Sequence, residues 1–241
     1  LLGIGAYVLD LGAFTPILYA FDDREDILDA LEDITGSRLT YCYYRVGGVL
    51  KDIDETFIKR TRAFIDHFRK RLPMYNDLVT GNVIFIKRTE GVGIITADMA
   101  RRYGATGPTL RGSGIPYDIR KSEPYSVYSH FDFDVPTGKN GDSLDRYMVR
   151  MKEMEQSLRI IEQALDKLPE GPVMAKPKKT KLQEGDCSFS VETARGVLTY
   201  YLVGDGSEVP YKLKIRVPSY SNLSLLEEMC TGMLIADLVS A

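Results

Sequence analysis

From Gly141 to Leu168 the apolar residues keep one seven-residue beat. Leu144, Met151, Leu158 and Leu165 form one row, and Tyr147, Met154, Ile161 and Leu168 form the other. At 3.6 residues per turn both rows lie on one side of an α-helix. Asp142 suits the N-cap, where its carboxylate accepts an orphan backbone N–H. Asp145 adds negative charge to the first turn, which the helix dipole favours. Pro169 and Gly171 stop the helix. Arg146, Arg150, Lys152, Glu153, Glu155, Arg159, Glu162 and Lys167 fall largely on the other side. Fewer than about four heptads are present, so the pattern predicts a core-facing bundle helix rather than a free coiled coil. The other segments are expected to pack against this helix as against a beam.

With 241 residues the chain is long enough for one large domain or two small ones. Hydrophobic residues at 44% and charged residues at 27% are ordinary globular proportions. A net charge of −3 gives no pull toward nucleic acid or anionic lipid. No apolar run reaches the roughly 18 residues that span a bilayer. Cys42, Cys187 and Cys230 are far apart and odd in number, and only His67 and His130 add imidazole. That argues against a disulfide framework or a structural zinc site, and for a reducing, cytoplasmic setting with each cysteine a core thiol. The chain opens LLGIGAYVLDLGA and closes MLIADLVSA, both apolar. A piece of a longer protein is expected on that ground.

Leu1 to Gly12 reads as a helix on which Leu2, Ala6, Leu9 and Asp10 share one side. Asp10 thus continues a mostly apolar face, where burial of an unpaired charge is costly. Thr15 is expected to cap the next helix, with Pro16 at its first position and Gly36 at its end. Ile17, Phe21, Leu28, Leu31 and Ile34 are its apolar residues. RLTYCYYRVGGV (38–49) reads as a short strand or extended loop. A long helix follows from about Asp54 to Thr80, with Phe57, Phe64, Phe68, Leu72, Tyr75 and Leu78 as its buried stripe and Pro73 kinking or splitting it. Thr96 caps a brief helix that Gly104 stops. Residues 104–141 are rich in Gly, Pro, Asp, Ser and Tyr without periodicity, and their aromatics favour an ordered, packed loop. A basic linker is expected over 172–185. Beyond it come alternating segments at Ser188–Thr193, Val197–Val203 and Tyr211–Val217, with turns at Arg195-Gly196 and Asp205-Gly206. In the last of these, Tyr211, Leu213, Ile215 and Val217 form a buried face opposite Lys212, Lys214 and Arg216. Asn222 then caps a final helix. The fold class is α+β: a mainly helical bundle around a long central helix, with a small antiparallel sheet near the C-terminus. Its organisation is a helical core over 1–171 with the ordered loop 104–141, a linker over 172–185, and a meander plus helix over 186–241, all one structural domain.

No generic catalytic motif is present: no GxGxxG, Walker loop, HExxH or GxSxG. The glycines of Arg111-Gly112-Ser113-Gly114 suit tight backbone packing rather than phosphate. Asp118, Arg120, Asp132, Asp134, Asp142, Asp145 and Arg146 collect charge around the big loop. They read as a salt-bridge network, or as a polar wall beside a redox or proton-transfer site.

Five runs then point to one family. They are LDLGAFTPILYAFDDRE (9–25), YYRVGGV (43–49), LRGSGIPYDIRKSEPYSVY (110–128), FDFDVPTGKNGDSLDRYMVRMKEMEQSLRIIEQAL (131–165) and YLVGDGSEVPYKLKIRVPSYSNL (201–223). Together they resemble the D-type subunits of respiratory NADH:quinone oxidoreductase, complex I, a family descended from the nickel–iron hydrogenase large subunit. VETARGVLTYYLVGDG (191–206) resembles the hydrogenase Arg-Gly turn between two strands. The resemblance implies a hydrogenase-large-subunit-like fold that binds no cofactor of its own. It implies a partner subunit that holds the terminal iron–sulfur cluster, with the quinone head group bound between the two. It also implies other peripheral-arm subunits, a membrane subunit at the quinone entrance, and a peripheral location on the cytoplasmic side of the inner membrane. A His on an N-terminal hairpin and a Tyr from an early helix contact quinone in the family, and both precede Leu1. Among the residues present, Asp10 matches the carboxylate that partners that His, and Ala6 matches a pocket-lining position. Arg45 matches an arginine-glycine-glycine stretch, with Val46 where many members have Pro, and Ser143 stands where many have Cys. The piece alone is expected to be inactive. Two other readings stay open, a membrane-bound nickel–iron hydrogenase large subunit and a non-catalytic scaffold; paired CxxC motifs would mark the first.

Overall fold

A computed structural model describes residues 1–175 and 181–241, so part of the expected linker 172–185 lies outside the described residues. The architecture is α+β, with ten α-helices among the described residues and a three-stranded antiparallel sheet near the C-terminus. No helix among the described residues is long and apolar enough to cross a membrane. The chain divides into two compact units, Leu1–Phe85 with Leu158–Lys178, and Ile86–Ser157 with Lys179–Ala241.

In the first unit α1 (Leu2–Asp10) packs on α2 (Thr15–Thr35) through Ile4, Gly5 and Val8. A Cβ on Gly5 would meet Ala20 Cβ at 3.1 Å and Ile17 Cα at 3.2 Å, so the crossing is built for a residue without a side chain. The expected apolar side of α1 is therefore not its buried side: Leu2, Leu9 and Asp10 are exposed. α2 begins one residue earlier than its polar cap signal implies. Phe14 holds the N-cap position without a side-chain bond, Thr15 is already helical, and Pro16 supplies the pre-set φ. Gly36 ends α2 in the left-handed conformation at φ 71°. Phe21 is exposed, whereas the expected Leu28 and Ile34 are buried together with Pro16, Ala20, Asp23 and Ala30.

The 38–49 stretch forms a two-residue hairpin, β1 (Tyr44–Arg45) and β2 (Gly48–Val49). α3 (Glu55–Tyr75) opens on Asp54, whose carboxylate accepts from Phe57 N at 2.9 Å. Pro73 lies inside α3 without ending it. The α-helix gives way two residues later to a π-helical turn at Asn76–Thr80. Thr61, Phe64, Ile65, Phe68, Tyr75 and Val79 are buried there, whereas Leu78 is exposed because the wider π turn rotates it off the stripe.

α4 (Val83–Thr89) is followed by the 91–95 segment and α5 (Ala97–Arg102), which Thr96 caps through Met99 N. The expected 104–141 loop contains two short helices, α6 (Pro108–Gly112) and α7 (Ile119–Ser122). Its core with the C-terminal helices is Ile95, Ala100, Ala105, Leu110, Leu225 and Met229. Gly112 does serve close packing, since a Cβ there would sit 2.8 Å from Arg146 Cγ.

α8 (Ser143–Asp166) is the longest helix among the described residues, and Asp142 accepts from Asp145 N at 2.8 Å as its cap. Tyr147, Val149, Met151 and Leu158 are buried, while Ile161 is exposed and Leu168 lies past the helix end in solvent. The first half is enclosed beyond the apolar stripe, because the 91–93 backbone caps it. Arg146, expected on the polar side, is buried and donates to the carbonyls of Gly93 (2.8 Å), Gly141 (3.0 Å) and Ala241 (2.9 Å).

The sheet runs β3 (Gly185–Thr193), β4 (Gly196–Gly204), β5 (Lys212–Arg216), with Phe189 opposite Tyr200 and Tyr200 opposite Ile215. Its expected buried face is largely exposed: Tyr211, Leu213 and Ile215 face solvent and Val217 is half-buried, and Phe189 and Tyr200 of the other strands are exposed as well. Alternation identifies the apolar face, but it does not supply an element to cover it. α9 (Pro218–Leu223) contains Asn222 rather than being capped by it; the Asn222 amide donates to Arg195 O at 3.1 Å and its oxygen accepts from Thr106 N at 3.2 Å. α10 (Leu226–Met229) follows. The cysteines are not core thiols, since Cys42 and Cys187 are exposed and Cys230 is half-buried.

Candidate functional site

Asp10 closes α1, and Ala6 lies one turn before it on the same side. The Asp10 carboxylate is exposed rather than buried, and no hydrogen bond or ion pair engages it among the described residues. It does not cap the turn around Gly12–Thr15, because Gly12 N and Ala13 N donate to the carbonyls of Leu9 (2.8 Å) and Val8 (3.0 Å). Exposed Leu2 and Leu9 and half-buried Ala6 continue the surface toward it. The result is a short apolar strip with a carboxylate at one end.

Asp23, in the middle of α2, is fully buried, although no sequence signal singles it out. Three side chains from one face of α3 converge on it. Tyr75 Oη donates at 2.5 Å, Arg71 Nε at 2.9 Å, and His67 Nε2 lies 3.1 Å away. Arg71 also reaches Asp22 at 2.6 Å. Burial, and then the hydrogen bond to the Asp23 carboxylate, push the Tyr75 phenol well above its ordinary range. Tyr75 therefore stays a donor, and the group acts as a clamp between α2 and α3. The spacing 67, 71, 75 marks one helix face and is readable in the sequence.

In the second unit the residues of the predicted charged cluster serve different partners. Asp142 and Asp145 serve backbone N–H groups, Arg146 serves carbonyls, and Asp132 and Asp134 are exposed. Asp118 and Arg120 pair, at 2.6 and 2.9 Å, and beside them lies Arg111, which in the sequence sits inconspicuously beside packing glycines. Burial alone would raise the Asp118 carboxyl, but its hydrogen bond to Arg120 and the charges of Arg120 and Arg111 hold it below the usual range. Among the described residues no group of three His, Cys, Asp or Glu side chains is placed to hold a metal ion.

The comparison with known families is decisive for the chain as a whole. The model of the respiratory-chain NADH dehydrogenase 49 Kd subunit matches residues 10–186 and 176–241. The chain belongs to the 49 Kd subunit family. Among relatives, it is 59% identical over 239 residues to the D-type NADH-quinone oxidoreductase subunit of Desulfotalea psychrophila, covering 98% of this chain and 64% of that protein. It is 58% identical over 242 residues to the D-type subunit of Syntrophobacter fumaroxidans, covering 100% of this chain and 65% of that one. Against a D-type subunit of Opitutus terrae the identity is 56% over 235 residues, covering 97% and 59%. The chain thus spans less than two thirds of the length of these 49 Kd subunit relatives. The family match begins at Asp10 itself and takes in Asp23, Arg111 and Glu192.

Proposed function

We propose that this chain is part of the quinone-reducing module of an NADH:quinone oxidoreductase. Electrons reach it from an iron–sulfur cluster held by a partner subunit. Reduction of quinone to quinol takes two electrons and two protons, and the head group lies beside α1 with Ala6 lining its pocket. Asp10 partners a His of the family's N-terminal hairpin and holds that imidazole charged, so that its proton is available as quinone is reduced. The chain binds no cofactor of its own. It is peripheral, on the cytoplasmic side of the inner membrane, against other peripheral-arm subunits and a membrane subunit at the quinone entrance.

The observation behind this reading is the Asp10 carboxylate, exposed and without a bond among the described residues, at the end of an apolar strip. A structural carboxylate would be engaged by its own chain, as Asp23 is. A quinone head group, apolar with polar oxygens, suits a surface of that kind, and a His partner leaves the strip free to line it. Substitution Asp10→Asn in the complete, assembled enzyme tests it. We expect normal assembly with quinone reduction slowed about 10²-fold, the low end of general acid–base effects. Poor assembly, with the assembled fraction turning over at the normal rate, contradicts the relay role.

A further inference from the structure

Gly5 stands in the interior of α1, next to Ala6 and ahead of Asp10. Its backbone is ordinary helix, so no left-handed φ calls for glycine there. An interior glycine weakens a helix relative to alanine, because it orders the most flexible backbone and packs no side chain. What glycine supplies at this position is room. A Cβ there would lie 3.1 Å from Ala20 Cβ and 3.2 Å from both Cα and Cγ1 of Ile17. Ala20 is buried and Ile17 Cα is backbone, so α2 has little freedom to yield. A methyl on Gly5 would push α1 a few tenths of an ångström away from α2.

Such a push would not move α1 evenly, because its C-terminal end is tied into the turn before α2. Gly12, at φ 96°, donates its N–H to Leu9 O at 2.8 Å, and Ala13 N donates to Val8 O at 3.0 Å. Those two bonds close the helix as a Schellman motif. Wedged at Gly5 and held at that turn, α1 tilts about its C-cap, Leu11. At about 1.5 Å of rise per residue, Ala6 stands about 7.5 Å from the pivot and Asp10 about 1.5 Å. Ala6 therefore swings with Gly5, and Asp10 hardly moves.

We propose that Gly5 is a positioning residue for the quinone. By letting α1 lie close against α2, it sets how far Ala6 reaches into the head-group pocket. The role rests on the proposed place of the quinone beside α1. The pivot separates two effects. The fit of the head group against Ala6, read as KM, depends on Gly5, whereas the proton step at Asp10, read as kcat, does not.

The test is steady-state kinetics of the complete, assembled enzyme with NADH and a short-chain quinone. Gly5→Ala should raise KM for quinone about tenfold, the low end of what one methylene is worth in an apolar pocket, with kcat unchanged. Ala20→Gly removes the methyl that α1 rests against and should raise KM as well. The two together exchange one methyl across the crossing, and KM should return toward the wild-type value. An assembled Gly5→Ala enzyme with wild-type KM, or with a lower kcat at unchanged KM, overturns the positioning role. So does a pair whose KM is no lower than that of Gly5→Ala alone. Should Gly5→Ala not assemble, Ala20→Gly decides, and an unmoved KM overturns the proposal. Labelling of the wild-type enzyme with an azidoquinone keeps the underlying reading separate. Competable label on α1 with an unmoved KM refutes the role of Gly5 alone, whereas absence of label from α1 refutes the quinone reading and this role with it.

Discussion

Asp23 shows what a single residue does when three donors surround it. Removing Tyr75 Oη by Tyr75→Phe takes away a charge-assisted hydrogen bond at a buried carboxylate. It should cost about 1.5–3 kcal/mol in urea denaturation, and a loss near zero would mean that Arg71 and His67 suffice. The pH signs of the carboxylates differ by environment. Asp118 is held below its ordinary range, so its contribution is present above the unfolded carboxylate value and is lost as pH falls through the folded one. Glu192 is pushed up, so its contribution is present below the unfolded value and is lost as pH rises through the folded one. The sequence was legible here only in part. His67, Arg71 and Tyr75 advertise one helix face, but Asp23 looks like any acid in a helix with many. Arg111 and Glu192 are 81 residues apart and meet through folding, which no local pattern records.

At the scale of elements, helices were the readable part. The beat of α8, the caps at Asp54, Thr96 and Asp142, and the stop at Gly36 all appear where local chemistry places them. Burial was less legible, since it depends on what comes to cover a face. The strands alternate as expected, yet their apolar face lies largely in solvent. The close approach of Gly107 to Gly196 had no signature either. A Cβ on Gly107, at φ 70°, would lie 2.5 Å from Gly196 Cα, so α6 and the β3–β4 turn meet backbone to backbone. Leu158 is buried on α8. Leu158→Ala should destabilise the purified chain by about 2–5 kcal/mol in equilibrium unfolding, whereas a loss below about 0.5 kcal/mol would mean that the site is not packed.

For the whole molecule, five runs spread over the chain pointed to the family that the comparison then established. Exposed aromatic and aliphatic side chains are spread over both units, including Phe14 and Leu18 in the first and Phe189 and Tyr211 in the second. Exposed apolar surface is the kind that interaction sites use, in keeping with the proposed place of the chain among partner subunits. On the proposed reading, the segment from Ala6 to Asp10 lies at the quinone. Photoaffinity labelling of the assembled complex with an azidoquinone, followed by peptide mapping, measures this directly. Label on the peptide containing Ala6 and Asp10, abolished by excess quinone, is the predicted result. Competable label confined to partner subunits, or to segments of this chain remote from α1, would contradict it.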